Sequence, residues 1–136
     1  MSKRTTSRKL AMKALYQSEI QGSEIQESLS ALWQDRDYIE ETRSFAEALA
    51  VKVYAEKEDL DTKIMTYAKN WTLDRMNPID KQLMRMAIYE IEYDKQPYQV
   101  IINEVVMIAK KYSTEEGAKF INGILEAFSK DTCSQD

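Results

Sequence analysis

Histidine is absent from the 136 residues of this chain. That absence excludes a Ser–His–Asp triad, a Cys–His pair, a His-ligated zinc centre and an imidazole proton shuttle. Cysteine occurs once, as Cys133, so neither an internal disulfide nor a multi-cysteine metal site can form. A reducing, cytoplasmic compartment is the expectation. The three glycines stand apart at positions 22, 117 and 123 and make no Gly-rich phosphate loop. With only two prolines, the chain also lacks the composition of a β-rich or low-complexity protein. Its longest uncharged run, Gln96 to Asn103, falls far short of the roughly 18 apolar residues of a membrane span. The basic N-terminus has no apolar stretch behind it and does not read as a secretory signal. Carboxylates are plentiful but scattered over helix surfaces. Only Glu90 and Glu104 lie within apolar stretches, where a glutamate more often serves as a structural ligand than as a general acid. No catalytic residue, metal site or cofactor is expected.

What is present is an uneven distribution of charge. Acids number 23 and bases 19, for a net charge of −4. Residues 1–18 nevertheless hold Lys3, Arg4, Arg8, Lys9 and Lys13 and no acid, leaving 14 bases against 23 acids in the remainder. An acidic protein with its cations gathered at one end suggests an arm that binds a polyanion. The plain alternative is a solvated basic tail, and charge alone leaves both open.

Periodicity is helical almost throughout. The spacing predicts a first helix from Ser7 to Gln21, with Ser7 as N-cap and Gly22 taking positive φ after its end. Ser23 and Gln26 form a capping box for a second helix, and Tyr38 to Lys57 a third. The fourth carries the stripe Leu60, Ile64, Tyr67, Ala68, Trp71, its start left open between Ala55 and Asp61. Asn70 to Asn77 reads as a connection. Asn77 caps a fifth helix, with Pro78 at its first position and Asp80 favourable to the dipole. The sixth helix, apolar nearly all round from Val100 to Ala109, should be central. Ser113 and Glu116 make a second capping box opening the seventh, whose inward face is Phe120, Ile121, Ile124, Leu125 and Phe128. Gly123, beside Asn122, should mark a close helix approach. The expectation is an all-α, compact single domain of about seven helices over residues 1–130, followed by a polar tail at 131–136.

Helix 1 also bears on binding. Its core stripe is Ala11, Ala14, Leu15 and Ser18. A second row, Met12, Tyr16 and Ile20, follows Arg4 and Arg8 at spacings of four and offers either a partner surface or further packing. A single-stranded nucleic acid site needs stacking platforms as well as cations. Trp71, Tyr112 and Phe120 are candidates, the last two beside Lys110, Lys111 and Lys119, with a core role as the alternative for each.

Several segments together resemble the NusB family of bacterial transcription antitermination factors. They are Arg8 with Ala14-Leu15-Tyr16-Gln17; Trp71 to Arg75; Asp80, Arg85, Ala87, Tyr89 and Glu90; Pro97, Val100, Ile102, Asn103 and Glu104; Ala109-Lys110; and Phe120, Asn122, Gly123 and Leu125. They occur in the family's order over nearly the whole chain. The resemblance implies a non-catalytic protein that pairs with the ribosomal protein NusE and binds the boxA element of nascent RNA. The pair then acts on the transcription elongation complex at ribosomal RNA operons. It implies RNA contacts at Lys3, Arg4, Arg8, Lys9, Lys119 and Phe120. Partner contacts are implied at Tyr16, Ile20, Asp74, Asp80 and Glu116, the last rivalled by its capping role. The arm departs from the family in having fewer arginines, and lysine neither stacks nor forks to phosphate as arginine does.

Two other readings stand beside this one: a helical protein–protein scaffold whose arm only aids solubility, and an accessory RNA-binding subunit of an RNA-modifying enzyme. Within these 136 residues no methyl-transferring domain is expected. The Met12/Tyr16/Ile20 row also leaves a homodimer open.

Overall fold

The computed structural model describes residues 3–94 and 96–133, Lys3 by its backbone alone. These form α1 (Lys3–Gln21), α2 (Ile25–Asp35), α3 (Glu40–Ala55), α4 (Lys57–Tyr67), α5 (Pro78–Tyr93), α6 (Tyr98–Tyr112) and α7 (Glu115–Cys133). A 3-10 turn covers Leu73–Arg75, and no strand occurs among the described residues. The all-α class read from periodicity is the architecture observed. No helix of the described residues is long and apolar enough to cross a membrane. The backbone divides into two compact units, the first ending at Glu56 and the second beginning at Lys57.

In the first unit α1 packs on both α2 and α3. Ala11, Ala14, Ala46 and Ala50 are all buried, and their small side chains let helix axes approach closely. Ser7 does not cap α1. The helix starts earlier, at Lys3, and the buried Ser7 hydroxyl instead donates to the Thr42 carbonyl of α3 at 2.9 Å. Ser18 and Ser28 join α1 to α2 through their hydroxyls at 2.9 Å. Gly22 ends α1 at φ +68°, as its lack of a Cβ allows. The expected Ser23 capping box is not formed. Glu24 occupies the cap position without a side-chain bond, while the Ser23 hydroxyl turns to Ser28 at 3.2 Å.

In the second unit α5 is the central element, packed on α4, α6 and α7. Leu83, Met84, Met86, Ala87 and Ile88 are wholly inaccessible. Its start follows the sequence: Asn77 Oδ1 accepts the Ile79 N–H at 2.9 Å, and Pro78 sits in the first turn. Helix α6 is less central than its apolar content suggested, since Val100 and Met107 are each 46% exposed. Apolar content overstates burial when the helix packs on only one side. A bidentate pair fixes α4 to α5: Arg85 Nε and Nη2 donate to the two Asp61 carboxylate oxygens at 2.6 and 2.7 Å. Lys63 reaches Glu92 at 2.7 Å across the same pair of helices. The Tyr67 hydroxyl donates to Asp131 at 2.8 Å while its ring meets Phe128 edge-on, so α4 is also tied to α7. Helix α7 runs on through Cys133, beyond the expected start of the tail at 131.

Candidate functional site

Two groups of candidate residues lie one in each unit. In the first unit the Arg4 guanidinium lies 4.4 Å from the centroid of Phe45, exposed and stacked. A guanidinium over an aromatic ring gains a cation–π attraction, and an exposed one is the residue type suited to phosphate or base. Arg8, at 5.8 Å from the same ring, is only 2% exposed. It therefore belongs to the interior of this unit rather than to its surface. Lys9 is half-buried, and the Lys3 side chain lies outside the described residues. The row expected along α1 divides in the same way: Met12 is core, Tyr16 half-buried, and Ile20 57% exposed.

The second unit holds a pocket of about 220 Å³. Trp71, half-exposed, and Phe120, half-buried, form its aromatic wall, their rings edge-to-face at 5.8 Å. The turn before α5 contributes Arg75, Met76 and Asn77, and the first turn of α7 contributes Glu116 and Gly117. The junction is held by polar bonds. Asn77 Nδ2 donates to the Ser113 hydroxyl at 3.2 Å, and Thr114 Oγ1 accepts the Gly117 N–H at 2.8 Å. Thr114, and not Ser113, is thus the residue that caps α7. Glu116 is exposed on the pocket rather than closing a capping box with Ser113.

Asp80 forms the polar part of this pocket. It is 5% exposed, and its Oδ1 has no hydrogen-bond partner. Burial pushes its carboxyl above the ordinary aspartate range, and a hydrogen bond from Ser113 opposes the shift only partly. Gly117 makes room for this carboxylate: a Cβ there would stand 2.5 Å from Asp80 Oδ2. Gly123, expected to mark a close helix approach, does not: a Cβ there would meet nothing within 4 Å.

Of the expected site residues, the structure brings Asp80, Glu116 and Phe120 into one pocket. Asp74 is exposed on the 3-10 turn and does not line it, and Lys119 is exposed next to Phe120. Trp71, a candidate stacking platform with a core role as its alternative, is 48% exposed and lines the pocket. Arg75, Asn77, Thr114 and Gly117 were not among the expected site residues. Gly117 carried a signal, since a glycine in the first turn of a helix costs about 1 kcal/mol against alanine and needs a reason. Among the described residues no cluster of acidic or cysteine side chains is arranged to hold a metal ion.

Taken together, these features define a small all-α protein with a cationic leading helix and, in its second unit, an aromatic pocket around a buried carboxylate. The chain belongs to the NusB family, whose model matches residues 5–130. A transcription antitermination protein NusB of Thermoanaerobacter sp. (strain X514) is 38% identical over 128 residues, covering 94% of this chain and 91% of that one. The corresponding protein of Methylacidiphilum infernorum (isolate V4) is 41% identical over 134 residues, covering 97% and 94%. Among solved structures, antitermination factors NusB and NusE in complex with dsRNA include a chain that superposes with a TM-score of 0.87 at 22% identity, covering 96% of this chain and 98% of that one. At that identity the likeness bears on the fold.

Proposed function

We propose that this chain is a non-catalytic, RNA-binding transcription antitermination factor of the cytoplasm. It pairs with the ribosomal protein NusE and binds boxA-type single-stranded RNA on nascent ribosomal RNA transcripts, so acting on the transcription elongation complex. The observation that carries this reading is the near full-length match to proteins named for transcription antitermination. The structural neighbour seated with NusE and dsRNA supports the partner classes. The chemistry on this chain agrees: a stacked, exposed Arg4 on one unit, and on the other an aromatic pocket lined by Arg75, with Lys119 exposed on α7. Phosphate contacts supply affinity and aromatic faces hold unpaired bases. Exposure of Ile20 on the first unit and of Asp74 and Glu116 on the second supports partner contacts there, with Tyr16 half-buried, whereas the 5% exposure of Asp80 argues against one.

Fluorescence anisotropy with a short single-stranded RNA, with and without NusE, tests the reading. Binding should tighten when NusE is added and weaken for Arg4→Ala. Tyr16→Ala and Ile20→Ala should each weaken the protein pair by about tenfold, the scale of a modest interface anchor. Binding indifferent to Arg4 and to NusE would leave a helical scaffold instead. A gel-filtration mass of twice the chain, lost on adding NusE, would assign the Ile20 edge to a homodimer.

A further inference from the structure

We propose that Phe45 is a positioning residue for RNA binding: its ring on α3 holds the Arg4 guanidinium where the leading helix meets the strand. This rests on the RNA-binding reading above and adds to it a residue with no charge of its own.

The leading segment of α1 is seated on its unit rather than projecting as a tail. Thr5, Ser7 and Arg8 are all buried within its first two turns. The Ser7 hydroxyl fixes it to α3 by donating to the Thr42 carbonyl at 2.9 Å. One turn from each of those two residues, Arg4 on α1 meets Phe45 on α3, its guanidinium carbon 4.4 Å from the ring centroid. Arg8, one turn beyond Arg4, stands 5.8 Å from the same centroid. Phe45 is half-buried, Arg4 exposed and Arg8 buried. The ring therefore has a buried cation and a solvent-facing one against it.

An exposed arginine side chain is rotamer-rich, and ordering it at the moment of binding costs affinity. A ring that already holds the guanidinium by cation–π attraction removes part of that cost. The ring does not compete with the strand for the same bonds. It attracts the cation over its face, whereas phosphate and base edges are met by N–H donors in the guanidinium plane. Arg4 and Arg8 also stand four apart on one row, where like charges repel. The electron-rich face of a ring against both offsets that repulsion. A leucine would fill much of the same space and has no such face.

Anisotropy titrations with a fluorescein-labelled single-stranded boxA RNA compare the wild-type chain with Phe45→Leu, Phe45→Tyr, Arg4→Ala and the Arg4→Ala/Phe45→Leu double variant, each checked for folding by urea unfolding. Phe45→Leu should weaken binding about two- to tenfold, the scale of ordering one long side chain, and Phe45→Tyr should bind like the wild type. In the Arg4→Ala background Phe45→Leu should cause no further loss, because the ring acts through that guanidinium. An equal loss in both backgrounds overturns the proposal, since the ring would then touch RNA itself or act through Arg8. Unchanged affinity of Phe45→Leu overturns it while RNA binding through Arg4 stands. Tighter binding of Phe45→Leu overturns it too, by showing that the ring keeps Arg4 from the strand. Proton NMR of the wild type needs no variant and decides even if Phe45→Leu folds poorly. The Arg4 side-chain protons should be shifted upfield by the ring current both in the free chain and in the RNA complex. Ordinary shifts in the free chain, or loss of the upfield shift on adding RNA, overturn the assignment. A wild type that binds no RNA, or binds it indifferently to Arg4→Ala, sinks the function and this inference together.

Discussion

A single carboxylate shows how a residue can cost stability where it sits. Burial raises the proton affinity of Asp80, with the Ser113 hydroxyl partly opposing it. The charged neighbours lining the pocket are Arg75 from the 3-10 turn and Glu116 from α7. Because its value in the folded chain lies above the ordinary 3.8, the folded state holds this proton more tightly than the unfolded state. Stability contributed by Asp80 therefore falls as pH rises from the ordinary value through the raised one. Above that window the full penalty of the buried charge is present; below it there is none. Asp80→Asn should accordingly raise the urea midpoint at neutral pH, with the gain shrinking to nothing in acid. A gain independent of pH would show that the carboxylate is not the source. The two glycines of α7 make a matched pair at the same scale. Gly123→Ala enters open space in a helix and should stabilise by about 0.5–1 kcal/mol. Gly117→Ala should lose that gain and more, by about 1–3 kcal/mol, because its methyl meets Asp80. Urea titration of both variants separates helix propensity from the steric demand of the pocket.

Elements were legible where a strong apolar stripe met a recognisable cap. Helix α5 starts where Asn77-Pro78 says it should, since the cap bond is local and needs no tertiary partner. Boundaries failed where a hydroxyl had a remote alternative. Ser7 reads as a cap, but the Thr42 carbonyl of α3 claims its hydroxyl and the helix continues back to Lys3. Ser113 and Thr114 are adjacent, and sequence cannot tell which of two hydroxyls turns to the helix and which to Asp80. The site was half legible for the same reason. Trp71 and Phe120 announce themselves as aromatics amid lysines, whereas the burial of Asp80 depends on a glycine 37 positions away. The Arg85–Asp61 pair was similarly hidden, lying between helices whose relative placement no periodicity gives. Gln82 Oε1 accepts from Arg85 Nη1 at 3.2 Å beside that pair. Asp61→Ala removes both charge-assisted bonds and should cost about 2–4 kcal/mol, measured by urea unfolding. An effect below about 0.5 kcal/mol would place this pair with ordinary surface ion pairs.

At the scale of the molecule, the distribution of charge decides how RNA is met. Five cations without an acid in residues 1–18 stand against 14 bases and 23 acids in the rest of the chain. Most of the surface thus repels a polyanion, and binding is confined to the places where cations gather. Each phosphate neutralised on a single strand contributes a slope of about −0.7 to the logarithm of affinity against the logarithm of salt. If all five arm cations engaged, the arm would give about −3.5, but burial of Arg8 removes it from that set. The expected slope from the arm is therefore nearer −2.8, four contacts at about 0.7 each. Arg4→Ala should flatten the slope by about 0.7 without moving the urea midpoint by more than about 0.5 kcal/mol, because this guanidinium is exposed. Arg8→Ala should do the reverse: it opens a void beside Phe45 and costs about 1–3 kcal/mol of stability, with the slope unchanged in whatever fraction stays folded. Salt titrations and urea unfolding of these two variants, side by side, separate the arginine proposed to meet RNA from the one buried beside Phe45. A slope that flattens equally for both would return Arg8 to the binding surface.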